Sequence, residues 1–298
     1  MAIDLKGILL PTTTPFDADG KIAAGAIGSN IKDWTAKGVI GFVVLGSTGE
    51  RVHLDEREYL ETIETSRAAA TSDSVFIVGA GQQSTLSTIR EIKTAARAGA
   101  DAVLVITPFF YRTAITQETL ISFYTAVGDE SPVPVLLYSM PPLTGIKLEP
   151  ETVARLSEHA NIIGVKDSSN DVAGFGKTVS LCPSDFAVMI GNGTVLLDAL
   201  RAGATGGILA VGCVIPEVCV EIYNAFNAGD EEHAALLQSK LTPLAAAVTT
   251  RFGIGGLKAA LDLAGYSGGS VRAPLRAPDD TARTELAQLL QAVRASNP

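Results

Sequence analysis

The sequence predicts an α/β protein with a closed (β/α)8 TIM barrel and a C-terminal helical extension. Three observations predict this fold: eight short apolar segments, helical patterns between them, and a length of 298 residues, which an α/β barrel with additions can fill. Each strand with its following helix takes roughly 20 to 35 residues, the repeat expected for parallel strands joined by crossover helices. The same alternation leaves an open, doubly wound sheet as the alternative.

The eight predicted strands are short and almost wholly apolar, as parallel strands covered on both faces must be. Because their ends are marked by glycine, proline or polar residues, each reads as a separate buried strand. In chain order they are Gly7–Pro11, Gly41–Gly46, Val75–Gly79, Ala102–Thr107, Val133–Ser139, Ile162–Asp167, Phe186–Gly191 and Gly206–Val211.

Helix start signals lie between these strands. Asp55 and Glu58 have the spacing of a capping box, and Ser84 is a candidate N-cap. Pro150 suits the first turn of a helix. Beyond residue 228, three further apolar series predict helices over Leu236–Leu244, Leu257–Ala264 and Leu286–Val293. We therefore divide the chain into a barrel, residues 1–228, and a helical extension, residues 229–298.

Composition and charge predict a large packed core and argue against nucleic acid or a membrane as a partner. Hydrophobic residues make up 47% of the chain and charged residues only 18%. The 23 basic and 32 acidic residues give a net charge of −9, which disfavours binding to a phosphate backbone. No apolar stretch approaches the roughly 20 residues of a membrane span. The absence of a signal-peptide pattern and the three unclustered cysteines predict a cytoplasmic protein.

A lysine stands at the C-terminal end of the sixth predicted strand, where a barrel interior should be apolar. Strand alternation places Ile162, Gly164 and Lys166 on one face, with Gly164 leaving room beside the lysine stem. Burial disfavours the charged form of an amine, so such a lysine can be neutral and attack a carbonyl. Lys166 is therefore a candidate nucleophile, and a strand-end lysine that reaches out to solvent is the alternative.

The C-terminal ends of barrel strands meet at one mouth, which gathers further polar groups around Lys166. Ser47 and Thr48 lie between glycines after the second strand, where hydroxyls and backbone N–H groups can hold a carboxylate. An ordinary strand-to-helix turn is the alternative there. Tyr138 should point into the barrel, as Leu136 does, and could transfer a proton unless it is a core tyrosine. Together these residues predict covalent chemistry at the mouth.

These residues resemble the dihydrodipicolinate synthase / N-acetylneuraminate lyase family of class I aldolases, over nearly the full chain. The resemblance is carried by Gly46–Glu50, the strand of Tyr138, and Gly164–Asp167. Within the family, four segments are most similar to 4-hydroxy-2-oxoglutarate aldolase: Leu137–Pro141, Lys166–Ser168, Arg251–Lys258 and Arg272–Leu275. The resemblance implies a barrel with a helical extension, usually a homotetramer built as a dimer of dimers. It also implies that pyruvate is bound as a Schiff base, with no metal or organic cofactor.

The resemblance further implies catalytic roles. Lys166 would form the imine and Tyr138 would be the general acid and base. Many relatives have, at the position of Phe110, a tyrosine that reaches across a dimer interface into a proton relay. Since Phe110 cannot relay a proton and the side chain of Tyr111 should point elsewhere, the relay here would run through Ser47 and water.

Substrate contacts are implied in the same way. Ser47 and Thr48, with their backbone N–H groups, would hold the pyruvyl carboxylate. Gly191 and Ile208 would line the site through backbone contacts near the lysine. Ser168 would lie beside the distal end of the substrate.

One departure from the family pattern bears on the substrate. Dihydrodipicolinate synthases usually have an arginine at the position of Leu143, where it holds a substrate carboxylate, so the resemblance argues against lysine biosynthesis. The leading hypothesis is an aldolase that cleaves a 4-hydroxy-2-oxo acid or a 2-keto-3-deoxy sugar acid to pyruvate and an aldehyde. The aldehyde would be neutral or sugar-like, or else glyoxylate held by Ser47, Ser168 or Arg112. A dehydratase using the same imine is the alternative, and a non-catalytic ligand-binding barrel is a remote one.

Overall fold

Eight parallel strands close into a barrel in the computed structural model, which describes residues 3–295. The strands are β1 (Gly7–Pro11), β2 (Gly41–Val44), β3 (Val75–Ala80), β4 (Ala102–Ile106), β5 (Val135–Ser139), β6 (Ile162–Asp167), β7 (Ala187–Ile190) and β8 (Gly206–Ile208). Each strand pairs in parallel with its neighbours in sequence, and β8 pairs with β1. The predicted barrel is confirmed, and the open sheet is excluded because no edge strand remains.

Nine helices connect or follow the strands of the barrel within the described residues. They are α1 (Ala24–Thr35), α2 (Glu56–Ala69), α3 (Thr85–Arg97), α4 (Gln117–Glu130), α5 (Pro141–Thr144), α6 (Pro150–Leu156), α7 (Val172–Leu181), α8 (Leu196–Arg201) and α9 (Pro216–Asn227). The predicted start signals are confirmed. Asp55 and Glu58 form a reciprocal capping box at α2, and Ser84 accepts a hydrogen bond from the backbone N–H of Ser87 at α3. Pro150 occupies the first turn of α6.

Three helices form the C-terminal extension: α10 (Glu231–Ala246), α11 (Gly253–Ala264) and α12 (Asp280–Arg294). They contain all three predicted segments and extend each of them, and a π-helical turn over Ala247–Arg251 joins α10 to α11. Leu237, Leu241 and Leu257 are buried in the same hydrophobic cluster as the outward-facing residues of the strands. The core is therefore continuous across residue 228, and the proposed domain boundary there stays a prediction.

The barrel interior forms a separate inner core. Leu9, Val43, Leu136, Tyr138 and Ile208 belong to it, whereas the outer core lies between the strands and the helices. Leu136 and Tyr138 thus share the inward face, as predicted. Among residues 3–295, no helix is long and apolar enough to cross a membrane.

A register shift in β6 changes which face its first residues occupy. The first residue of β5 pairs with Ile162, whereas the second pairs with Gly164. Ile163 is therefore the extra residue of a β-bulge. As a result Ile162 packs in the outer core and Ile163 against the inner one. The prediction that Ile162 shares the face of Lys166 is wrong, because simple alternation assumes a regular strand.

Candidate active site

Lys166 and Tyr138 are direct neighbours at the C-terminal ends of β6 and β5. The two residues are paired in the parallel ladder, and the Lys166 Nζ atom lies 4.6 Å from the centroid of the tyrosine ring. The lysine is only 4% exposed. Its side chain therefore points into the barrel beside the phenol. The alternative interpretation required the side chain to reach out to solvent.

Ser47 connects the β2 end of the barrel to this pair. Its Oγ atom lies 3.0 Å from the hydroxyl oxygen of Tyr138, and either oxygen can donate the hydrogen bond. Ser47 begins a short 3-10 turn that ends at Gly49, with Thr48 buried in the middle. Because Thr14 donates a hydrogen bond to the carbonyl of Gly49 at 2.7 Å, the turn is also fixed to the loop after β1. The structure brings Lys166, Tyr138 and Ser47 into one group.

Gly191, at the end of β7, provides the space that this group needs. A Cβ atom on Gly191 would lie 1.9 Å from Ser168 Oγ and 2.9 Å from Lys166 Cε. The structure therefore places the Ser168 hydroxyl next to the lysine stem. Gly164 does not make the predicted room beside the lysine, because its missing Cβ would instead lie 2.6 Å from the backbone carbonyl oxygen of Ala187. Sequence alternation alone could not show which glycine faces the amine.

Alanine at position 191 should damage this site without unfolding the barrel. We expect Gly191→Ala to lower kcat/KM by about 100-fold, because the new methyl displaces the lysine and serine side chains from their positions. The matched control is Gly25→Ala in α1, where a Cβ meets nothing within 4 Å. Steady-state kinetics and thermal unfolding of both variants would test this prediction. An active Gly191→Ala protein would show that the lysine does not use this space.

Ile208, predicted to line the site, is fully buried in the inner core with Tyr138 and Met189.

The thiol of Cys213 is a second potential nucleophile near the site. Its Sγ atom donates a hydrogen bond to the carbonyl of Pro11 at 3.3 Å. Burial raises the pKa of this thiol well above its usual range, so it stays protonated and does not compete with the amine. Within residues 3–295, no group of three or more His, Cys, Asp or Glu residues could hold a metal ion.

The sequence matches the model of the Dihydrodipicolinate synthetase family over residues 4–293. The chain belongs to this family. Curated relatives span the same length: the 4-hydroxy-tetrahydrodipicolinate synthase of Syntrophus aciditrophicus is 34% identical over 286 residues, which is 96% of this chain and 97% of that protein.

Two solved structures of the family have the same fold along nearly their whole length. A dihydrodipicolinate synthase from Bacillus anthracis is 29% identical with a TM-score of 0.93, and the match covers 97% of this chain and 99% of that chain. A prophage protein of the family from E. coli K12, solved in complex with pyruvate, is 30% identical with a TM-score of 0.91 over 97% and 99% of the two chains.

Family membership establishes the coarse chemistry. The chain is a carbon–carbon lyase of the pyruvate-dependent aldolase kind. Enzymes of the family use pyruvate with an aldehyde-type substrate and are typically oligomeric. The finer resemblance to 4-hydroxy-2-oxoglutarate aldolase is not shown by these relatives, several of which are named as synthases, and it stays a prediction.

Two predicted site residues lie on the exposed rim of the mouth, apart from the buried group. Phe110 is 72% exposed, with its ring packed edge-on against Tyr111, and Leu143 is 63% exposed. Arg112 also lies on this rim. Its Nη1 atom is 2.9 Å from the position that a Cβ on Gly145 would occupy, and within residues 3–295 its guanidinium has no hydrogen bond or ion pair. A cation from the loop after β4 thus lies beside Gly145, which is two residues from Leu143 along the chain.

Proposed function

We propose that this family member is a Schiff-base-forming aldolase that cleaves a 4-hydroxy-2-oxo acid or a 2-keto-3-deoxy sugar acid to pyruvate and an aldehyde. The proposal depends on one observation: a buried lysine amine beside the Tyr138 ring, with the phenol hydrogen-bonded to Ser47. A nucleophilic amine with a proton-transfer group next to it is what imine chemistry requires.

The reaction begins with Lys166. Its amine adds to the C2 carbonyl of the keto acid, whose carboxylate is held by the Ser47–Thr48 turn, and loss of water with uptake of one proton gives the cationic imine. The cationic imine then withdraws electrons from the C3–C4 bond. Tyr138 takes the proton of the 4-hydroxyl group as that bond breaks and the aldehyde leaves. The remaining enamine takes up a proton at C3, and water hydrolyses the imine to release pyruvate and restore the amine.

The proton path runs through Ser47. The 3.0 Å contact between Ser47 Oγ and the Tyr138 hydroxyl allows the tyrosine to pass its own proton on while it accepts one from the substrate. Phe110 has no acidic hydrogen and lies on the exposed rim, so it takes no part in this transfer. Water at the mouth would complete the path beyond Ser47.

The residues of the rim support two classes of acceptor aldehyde. Leu143 supports a neutral or sugar-like aldehyde, since it offers no charge to a substrate carboxylate. Arg112, a cation beside Gly145 with no acidic partner among the described residues, supports glyoxylate released from 4-hydroxy-2-oxoglutarate. Relatives named as 4-hydroxy-tetrahydrodipicolinate synthases favour a second candidate function, the synthesis of 4-hydroxy-tetrahydrodipicolinate. The dehydratase hypothesis also stays open because it uses the same imine.

We also propose that the protein assembles as a homotetramer, a dimer of dimers, as the family resemblance implies. The aromatic pair Phe110 and Tyr111, 72% and 71% exposed, supports burial of these two side chains against a second copy of the chain. The cytoplasmic location stays a prediction from the sequence.

Trapping of the imine tests the proposal directly. Incubation with pyruvate and borohydride should attach one reduced pyruvyl group to the peptide that contains Lys166. Lys258, which is also buried, serves as an internal control and should stay unlabelled. No label, or a label on another residue, would overturn the assignment.

Product analysis separates the candidate reactions. With 4-hydroxy-2-oxoglutarate and a series of 2-keto-3-deoxy sugar acids, release of pyruvate and an aldehyde identifies the aldolase and its substrate. A semialdehyde with the intact carbon chain identifies the dehydratase. Formation of 4-hydroxy-tetrahydrodipicolinate from pyruvate and an amino aldehyde, without cleavage of the other acids, identifies the synthase.

A further inference from the structure

We infer that Lys258 of the C-terminal extension and Glu50 of the barrel are positioning residues for the pyruvyl carboxylate site. The inference rests on the proposed function, because that site is the Ser47–Thr48 turn. Glu50 directly follows this turn, and its Oε1 atom lies 2.5 Å from Lys258 Nζ. The two side chains are 1% and 2% exposed, so this is an ion pair removed from water.

Lys258 holds the turn by two routes. One is the ion pair with Glu50. The other runs through Thr14, whose carbonyl accepts a hydrogen bond from Lys258 Nζ at 2.7 Å while its own hydroxyl donates to the carbonyl of Gly49 at 2.7 Å. The amine donates a further hydrogen bond to the carbonyl of Ser270 at 2.6 Å, so it makes two hydrogen bonds beside the ion pair. The lysine is therefore fixed in one position.

Glu50 is held from its other side as well. Its Oε2 atom accepts a hydrogen bond from the backbone N–H of Arg272 at 3.2 Å and contacts His53 Nδ1 at 3.1 Å. The backbone of Glu50 is left-handed, with φ of 54° and ψ of 34°. A non-glycine residue keeps this conformation only where its surroundings hold it. The ion pair and its hydrogen bonds supply that constraint at the end of the carboxylate-binding turn.

The consequence for binding follows from the short distance along the chain. Ser47 and Thr48 precede Glu50 by only a few residues, and Ser47 must also meet the Tyr138 hydroxyl. Without the ion pair, the turn loses the constraint on Glu50, the residue that follows it, and its hydroxyls and N–H groups no longer match a bound carboxylate. Small displacements of groups that orient a substrate have large effects on reaction. Loss of the ion pair should mainly weaken the binding of pyruvate, because Lys166 itself lies on a different strand.

The test compares variants of the pair by the pyruvate concentration that gives half-maximal borohydride trapping. We expect Glu50→Gln and Lys258→Met each to raise this concentration by about tenfold, the size expected when a buried charged group loses its partner. The label should remain on Lys166. The double variant Glu50→Gln/Lys258→Met leaves no unpaired buried charge, so it should fold even where a single variant does not. Its shift should equal that of one single variant, because both remove the same constraint.

Leu241→Ala is the matched control for stability. This residue is fully buried in α10 of the same extension, and its removal leaves a cavity without breaking the contacts of Lys258 or Glu50. We expect it to lower the unfolding temperature while leaving the half-maximal pyruvate concentration unchanged. An unchanged concentration in the double variant, or an equal shift in Leu241→Ala, would overturn the inference. Wild-type protein that traps no pyruvate would overturn the proposed function itself, and the inference with it.

Discussion

Lys166→Met should abolish imine trapping and lower kcat/KM by about 10⁴-fold or more, the scale of loss when a covalent nucleophile is removed. Every step of the proposed reaction passes through the lysine imine, so no partial route remains. Methionine fills a similar volume, and the 4% exposure of Lys166 means that the substitution also removes a buried amine. We therefore expect the fold to persist. Pyruvate release from the preferred keto acid and borohydride trapping together measure the effect.

Lys177→Met is the matched control for this substitution. Lys177 is exposed on α7 and forms an ion pair with Glu151. Exposed ion pairs of this kind contribute little to stability, so activity and unfolding temperature should both stay close to those of the wild type. Pyruvate release by the Lys166→Met protein at the wild-type rate would mean that the chemistry uses no imine at this residue.

Much of the fold and the centre of the site could be predicted from the sequence, because both depend on local patterns. Apolar segments bounded by turn residues locate strands without knowledge of their partners. Once the strands close into a barrel, their C-terminal ends must meet, which brings Ser47, Tyr138 and Lys166 together. Short-range signals such as the Asp55–Glu58 capping box can also be recognised in the sequence, since both partners lie within one helical turn.

The features that sequence reasoning missed depend on distant parts of the chain or on irregular backbone. The β-bulge at Ile163 appears only in the pairing of β6 with β5, so alternation placed Ile162 on the wrong face. The resemblance places Gly191 near the lysine, but the space that it leaves for Ser168 and Lys166 depends on how closely β7 approaches β6 at the mouth. The contact between Lys258 and Thr14 joins residues that are 244 positions apart, and no pattern in either segment signals it.

Tyr138→Phe should separate the binding of pyruvate from its chemistry. The substitution removes only the hydroxyl, so Lys166 keeps an aromatic ring beside it and the Ser47–Thr48 turn keeps its other contacts. We expect kcat for cleavage to fall by about 10² to 10⁴-fold, the usual contribution of general acid–base catalysis. Pyruvate should still reach the lysine, although imine formation will be slower because dehydration of the carbinolamine also needs a proton donor. Single-turnover kinetics with the keto acid and time courses of borohydride trapping distinguish the two steps.

Tyr124→Phe is the matched control for that experiment, because it also removes one buried phenol hydroxyl. The Tyr124 hydroxyl donates to the carbonyl of Val105 at 2.9 Å, in the layer between α4 and the barrel. Its loss should cost about 1 kcal/mol of stability and leave kcat unchanged.

Ser47→Ala tests the direction of proton flow. If Tyr138 is the group that contacts the substrate, Ser47→Ala should reduce kcat less than Tyr138→Phe does. The reverse order would assign the proton transfer to Ser47 and leave Tyr138 to orient it.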